Sequence, residues 1–217
     1  MCMAASDSGE EMQRKRGRPK ASSDDQKRSH IVENAGKIFV KHGYAASTTA
    51  IVAAEAGVSK QTLYRIFESK EELFAAVVGD HRRMMLDLPR QPEQVPVSLS
   101  LERIFMIDMD EDKDMERAGL LQLVFREAPQ FPELIEILNK EGLLAARQLL
   151  TDWLAERRAE GRLKLDDTAS GSRMLMDMIF GGMGPPEGRA SAWPDRTARL
   201  DHLRRCIAVF CKGVEAD

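Results

Sequence analysis

The chain has 217 residues, of which 43% are hydrophobic, 31% charged and only 6% aromatic. Ala, Leu, Met, Glu and Arg dominate and β-branched runs are absent, a globular composition that leans towards helix. No apolar stretch approaches the ~20 residues a membrane span needs and no apolar leader opens the chain, so a cytoplasmic protein without a membrane partner is expected. The net charge of −3 is unevenly spread: residues 11–70 carry +6 and residues 71–217 carry −7. A basic front end on an acidic body is the distribution that phosphate binding requires.

Residues 1–21 are polar and patternless, with a basic cluster from Arg14 to Lys20, and are expected to form a disordered basic tail. Ser23 followed by Gln26 has the spacing of a capping box. Ile31, Ala35, Ile38, Phe39 and His42 then trace one helical face that Gly43 ends. Thr48 can cap a short helix with Val52, Ala53 and Ala56 inside. Gly57 supplies the positive φ of a tight turn, and Ser59 caps a helix burying Leu63 and Phe67. Ser69 and Glu72 form a further capping box, opening a long helix through Leu73, Phe74, Val77, Val78 and His81 that stops before Pro89 and Pro92.

Beyond the proline-spaced segment 89–97 the pattern stays helical. Helices are expected from Leu99 to about Met109, from Met115 to Ala128 after a charged break at Asp110–Asp114, and from Leu134 to Glu160, closed by Gly161. Asp166 or Thr168 opens another, interrupted by the Gly/Pro cluster from Gly181 to Pro186. The last helix runs from about Asp195, with Leu200, Leu203, Ile207, Phe210 and Val214 spaced 3, 4, 3 and 4 apart. The fold class is therefore all-α with about nine helices, divided into a tail (1–21), a compact helical head (22–68) and a larger helical body (69–217).

Cys206 and Cys211 point about 140° apart on a helix, so with Cys2 they read as reduced thiols. The four histidines are scattered, and no Ser/His/Asp order, phosphate loop or metal-ligand spacing is present. No metal, cofactor or enzymatic activity is expected.

Residues 47–67 meet the mechanical needs of a helix-turn-helix. Two short helices must cross closely, so Ala53, Ala56, Val58 and Leu63 are compact. Gly57 makes the turn, and Lys60, Gln61, Thr62, Tyr64 and Arg65 lie off the buried Leu63–Phe67 stripe. With Gly43-Tyr44, Ser47-Thr48, Val52-Ala53-x-x-Ala56-Gly57-Val58-Ser59, Thr62-Leu63-Tyr64-x-x-Phe67 and Ser69-Lys70-Glu71-Glu72-Leu73, the stretch from Ile31 to Val78 resembles the DNA-binding domain of TetR-family transcriptional regulators. Glu127 with Phe131-Pro132-Glu133-Leu134 resembles a segment of the AefR-like group of that family. Ile51, Gln61 and Ile66 depart from the family pattern, the last where a His or Tyr able to touch phosphate is frequent.

The resemblance implies a dimer on double-stranded DNA at a palindromic operator, acting as a repressor and released by a small apolar or amphipathic effector. Thr48, Tyr64 and Lys70 would meet phosphate; Lys60, Gln61, Thr62 and Arg65 would read bases. Arg16 and Arg18, flanking Gly17, resemble the core of a minor-groove hook, and read equally well as a solvated leader adding phosphate attraction. Met174, Met178, Leu200, Leu203, Ile207 and Phe210 would build the homodimer interface. Arg82, Met85, Met106, Arg126, Trp153 and Met178 are candidates to line an effector pocket. The alternative is an A·T-preferring architectural DNA-binding protein without an effector.

Overall fold

The computed structural model describes residues 20–91, 93–181 and 195–214. All its elements are helical: α1 (Lys20–His42), α2 (Thr49–Glu55), α3 (Lys60–Ile66), α4 (Lys70–Met85), α5 (Val97–Ile104), α6 (Glu111–Glu127), α7 (Glu133–Ile137), α8 (Ala145–Ala159), α9 (Thr168–Phe180) and α10 (Arg196–Val214). A π-helical stretch, Leu138–Leu144, joins α7 to α8 without a break, so the described residues form nine rods. Gly142 explains the close packing of this stretch on α4, since a Cβ there would lie 3.3 Å from Val78 Cγ1. The Arg82 guanidinium donates to the Glu141 carbonyl at 2.9 Å, satisfying an acceptor in the widened turn.

Two apolar cores form. One gathers Ile31, Phe39, Tyr44, Val52, Leu63 and Phe67 from α1–α3 with Leu73, Phe74 and Val77 of α4, and extends to Leu120, Val124 and Leu134 of α6 and α7. The other gathers α5, α8, α9 and α10 around Leu101, Ile104, Leu150, Leu154, Leu175 and Ile207. Phe39, Tyr44, Phe74 and Phe131 meet in the first core at centroid distances of 5.2–5.6 Å. That edge-rich geometry matches the quadrupoles of the rings.

Several boundaries differ from the expectation. Helix α1 begins at Lys20, three residues before the expected cap Ser23. Helix α5 ends at Ile104 rather than Met109, because Met106 adopts φ +50, outside the helical region. The charged break at 110–114 is the first turn of α6. Asp110 caps it by accepting from Lys113 N at 3.0 Å, and Glu111, Asp112 and Asp114 suit the positive end of the helix dipole. Helix α9 is capped by Asp167, between the two residues expected to open it. Arg16, Arg18 and most of the basic tail lie outside the described residues, as does the Gly/Pro cluster beyond Gly181.

Candidate nucleic-acid interface

Local hydrogen bonds build the helix pair. Thr48 Oγ1 accepts from Ile51 N at 3.3 Å and Ser59 Oγ from Thr62 N at 3.1 Å, so each short helix has its cap. Between them, Gly57 takes φ +61 and Val58 N returns to the Ala53 carbonyl at 2.9 Å. Leu63 and Phe67 are fully buried, which fixes the rotation of α3 and turns Lys60, Gln61, Tyr64 and Arg65 outward. Thr62 is half-buried, with its hydroxyl 2.9 Å from Ser59 Oγ.

Tyr64 is 53% exposed, and its phenol lies 2.8 Å from Thr49 Oγ1, bridging α3 to the first turn of α2. Arg65 is held as a fork by both carboxylate oxygens of Asp24, at 2.9 and 3.0 Å. Arg28 stacks its guanidinium 4.9 Å above the Phe67 ring. These last two contacts span too much sequence for any local pattern to announce them. Ile51 is 42% exposed and Ile66 packs against the first core.

Lys70 differs most from its expected role. Its ammonium donates to the Tyr44 carbonyl and sits 4.1 Å from the Tyr44 ring centre. Burial holds its pKa below the usual lysine range, with Glu71 and Glu127 acting in the opposite sense. The Ser69 cap forms as expected, but the carboxylate of Glu72 reaches back to Glu68 N rather than to Ser69 N.

The residues expected to line an effector pocket are not gathered. Met106 lies in a cleft of about 440 Å³ with Leu99, Ile107 and Met109, while Arg82 lies in a separate, more polar cleft of about 370 Å³ between α1 and α4. Trp153 is buried in the second core with the Arg157 guanidinium 5.4 Å from its ring. Met178 packs on that core, Met85 is half-buried at the end of α4, and exposed Arg126 pairs with Glu127 at 3.2 Å.

The expected interface residues also divide. Leu203, Ile207 and Phe210 are buried within the protomer, because α10 packs against its own α5 and α9. Leu200 and Met178 are partly buried there, whereas Met174 is 56% exposed. Helical spacing reports an apolar seam but not whose partner fills it. Cys206 and Cys211 are buried, and burial pushes the Cys206 thiol up. Among the described residues no helix is long and apolar enough to cross a membrane.

A glycine-turned pair of capped helices presenting a polar face, set on an all-helical body, defines a DNA-binding transcriptional regulator. The family model for bacterial regulatory proteins of the tetR family matches residues 31–77, and that for the AefR-like transcriptional repressor C-terminal domain matches residues 105–213. The chain belongs to the TetR family. It is 27% identical to the HTH-type transcriptional regulator YvkB of Bacillus subtilis over 195 residues, covering 86% of this chain and 96% of YvkB. It is 33% identical to the nucleoid occlusion factor SlmA of Shewanella pealeana over 132 residues, 60% of this chain but only 59% of SlmA. Its fold is similar to that of a TetR-family regulator from Mesorhizobium loti (TM-score 0.67, 20% identity, 89% of this chain and 98% of that one). It is also similar to that of the flavonoid-responsive regulator FrrA (TM-score 0.61, 24% identity, 88% and 98%).

Proposed function

We propose that this regulator is a repressor that binds a palindromic operator as a homodimer and leaves it when a small apolar or amphipathic effector binds the body. The observation that carries the DNA-reading part is the outward set at the helix pair: Lys60, Gln61, Tyr64 and Arg65 of α3 and Thr48, the cap of α2, are all exposed, and Thr62 is half-buried. Lys60 suits guanine O6 and N7, Gln61 suits adenine N6 and N7, and the Thr62 methyl suits thymine; Arg65 suits guanine as well once its fork leaves the Asp24 carboxylate. Tyr64 and Thr48 reach phosphate beside them. Lys70 enters this reading as a support of the α1–α2 turn rather than as a phosphate contact, since its ammonium already serves the Tyr44 carbonyl.

The dimer face in this proposal is the outer side of α9 and α10. Met174 and Val209 stand exposed there, 56% and 66%, while Leu203, Ile207 and Phe210 support them from within. A twofold pair of heads would place two α3 helices about one DNA turn apart, which is why the operator is read as a palindrome. An amphipathic effector suits the mixed lining of the Met106 cleft, where Leu99, Ile107 and Met109 stand beside Glu102 and Arg103.

Selection of bound sequences from a random DNA pool at ~0.15 M salt tests this, because nonspecific phosphate binding is weakened there. One palindrome is expected, and compounds that lower affinity for it identify the effector class. The second reading is an A·T-preferring architectural DNA-binding protein without an effector. That reading gives A·T-rich sequence without symmetry and a low ratio of specific to nonspecific affinity.

A further inference from the structure

The segment Glu127 to Leu134 stands out in the sequence, yet none of it belongs to the DNA-reading surface. It lies at the corner between α6 and α7, and Glu127, Phe131 and Leu134 turn towards the DNA-binding head. Glu127 Oε2 accepts from Ala45 N at 2.9 Å. On the other side of the same peptide unit, the Tyr44 carbonyl accepts from the Lys70 ammonium of α4, and also from Ser47 N at 3.2 Å. The Tyr44–Ala45 peptide is thus held with its N–H on a carboxylate and its C=O on an ammonium, each charge opposite to the dipole end it meets.

The surroundings make these contacts count. The Glu127 side chain is only 14% exposed and Tyr44 only 2%, which shields the carboxylate and the Tyr44 ring in part, while Ala45 itself stands at the surface. Phe131 packs edge-on against Tyr44 at 5.3 Å, and Leu134 is fully buried in the same core. Gly43 leaves room for the carboxylate, since a Cβ there would fall 2.5 Å from Glu127 Oε1. Charge-assisted bonds of this kind are roughly twice as strong as neutral ones. The clamped peptide stands just ahead of Thr48, the cap of α2. Fixing it therefore fixes where α2, and the α3 helix hydrogen-bonded to α2 through Tyr64, point relative to α6.

We infer that Glu127 is a positioning residue for operator recognition: with Lys70 it sets the angle of the reading helices to the body, and through the body their distance from the second head. This rests on the dimer-and-palindrome reading above. Glu127 touches no base, and its effect appears only when two heads must engage together. Loss of the clamp leaves each head able to bind but lets the pair sample many spacings, which removes the gain from joint binding.

The test measures affinity for the selected palindrome, for a duplex with one half-site, and for palindromes with one base pair added or removed at the centre. Wild type, Glu127→Ala and Glu127→Gln are compared, with a thermal unfolding curve for each. Glu127→Ala should bind the half-site within about twofold of wild type, lose roughly tenfold on the palindrome and show a flattened spacing preference. Glu127→Gln keeps an acceptor oxygen for Ala45 N and should recover most of the palindrome affinity. Should Glu127→Ala unfold, Lys70→Met releases the other end of the same peptide and should give the same loss of spacing preference. Equal losses on half-site and palindrome, or no loss on either, would overturn the positioning role. A wild type with no preference for the palindrome over the half-site would instead remove the dimer reading beneath it.

Discussion

Gly43 and Gly57 both adopt positive φ, +85 and +61, yet their surroundings differ. A Cβ at Gly57 meets nothing within 4 Å, whereas at Gly43 it meets the Glu127 carboxylate. Gly57→Ala should therefore cost only the backbone conformation, about 1–2 kcal/mol. Gly43→Ala should cost that and the displaced Ala45–Glu127 bond, about 2–4 kcal/mol together. Urea unfolding of the two variants checks the order; equal costs would show that Glu127 swings aside freely. At this scale the sequence is informative where the partner is near. Thr48, Ser59 and Ser69 each cap the amide three residues on, and all three were readable. The Glu127–Ala45 bond spans 82 residues and the Arg65–Asp24 pair spans 41, so no spacing rule reaches them.

Between elements, the junction of α4 with α6 carries a buried polar contact that titrates. His81 is 6% exposed, and its Nε2 donates to the Arg117 carbonyl at 2.9 Å. Arg117 is itself buried and paired with Asp114, which also accepts from Arg199 of α10. Burial is the main cause that lowers the His81 pKa from 6.5 to about 4, with Arg117 adding repulsion and Asp80 opposing it. Folded, the ring stays neutral down to about pH 4; unfolded, it takes a proton near 6.5. The unfolded chain binds the extra proton between those values, so stability falls as pH drops through that window and is untouched by this group above it. The loss at pH 5 should be about 2 kcal/mol relative to pH 7, and His81→Gln should abolish most of it. Urea midpoints at the two pH values measure this; an unchanged slope in the variant would place the titration elsewhere. The elements themselves were largely legible, because caps and apolar spacing are local signals. Helix α5 ended early and α6 began early for reasons also local, the positive φ of Met106 and the Asp110 cap. The π stretch was not legible: no local residue pattern marks it, and its close approach to α4 at Gly142 and Val78 is a tertiary contact.

Over the whole molecule, the basic excess of residues 11–70 rests largely on Arg14 to Lys20, whose side chains lie outside the described residues, while Lys60 and Arg65 stand exposed on α3 and the acids are concentrated in the body. What spacing left open was the destination of the α10 seam. Leu203, Ile207 and Phe210 turn inward, so a dimer through this face would rest on the residues beside them. Met174→Glu with Val209→Glu places charges on exposed positions and should leave the helical fold intact. Sedimentation should then report a monomer, and palindrome affinity should fall at least tenfold. A persistent dimer would move the interface to another face.

If α3 reads base edges, Gln61→Ala should show it with electrostatics held constant, because no charge is removed. Affinity would be measured at ~0.15 M salt for the selected palindrome and for a shuffled duplex of the same composition. Gln61→Ala should lose tenfold or more on the palindrome, from two missing base contacts, and change little on the shuffled duplex. Equal affinities of variant and wild type on both duplexes, or equal losses on both, would contradict base reading from the exposed face of α3.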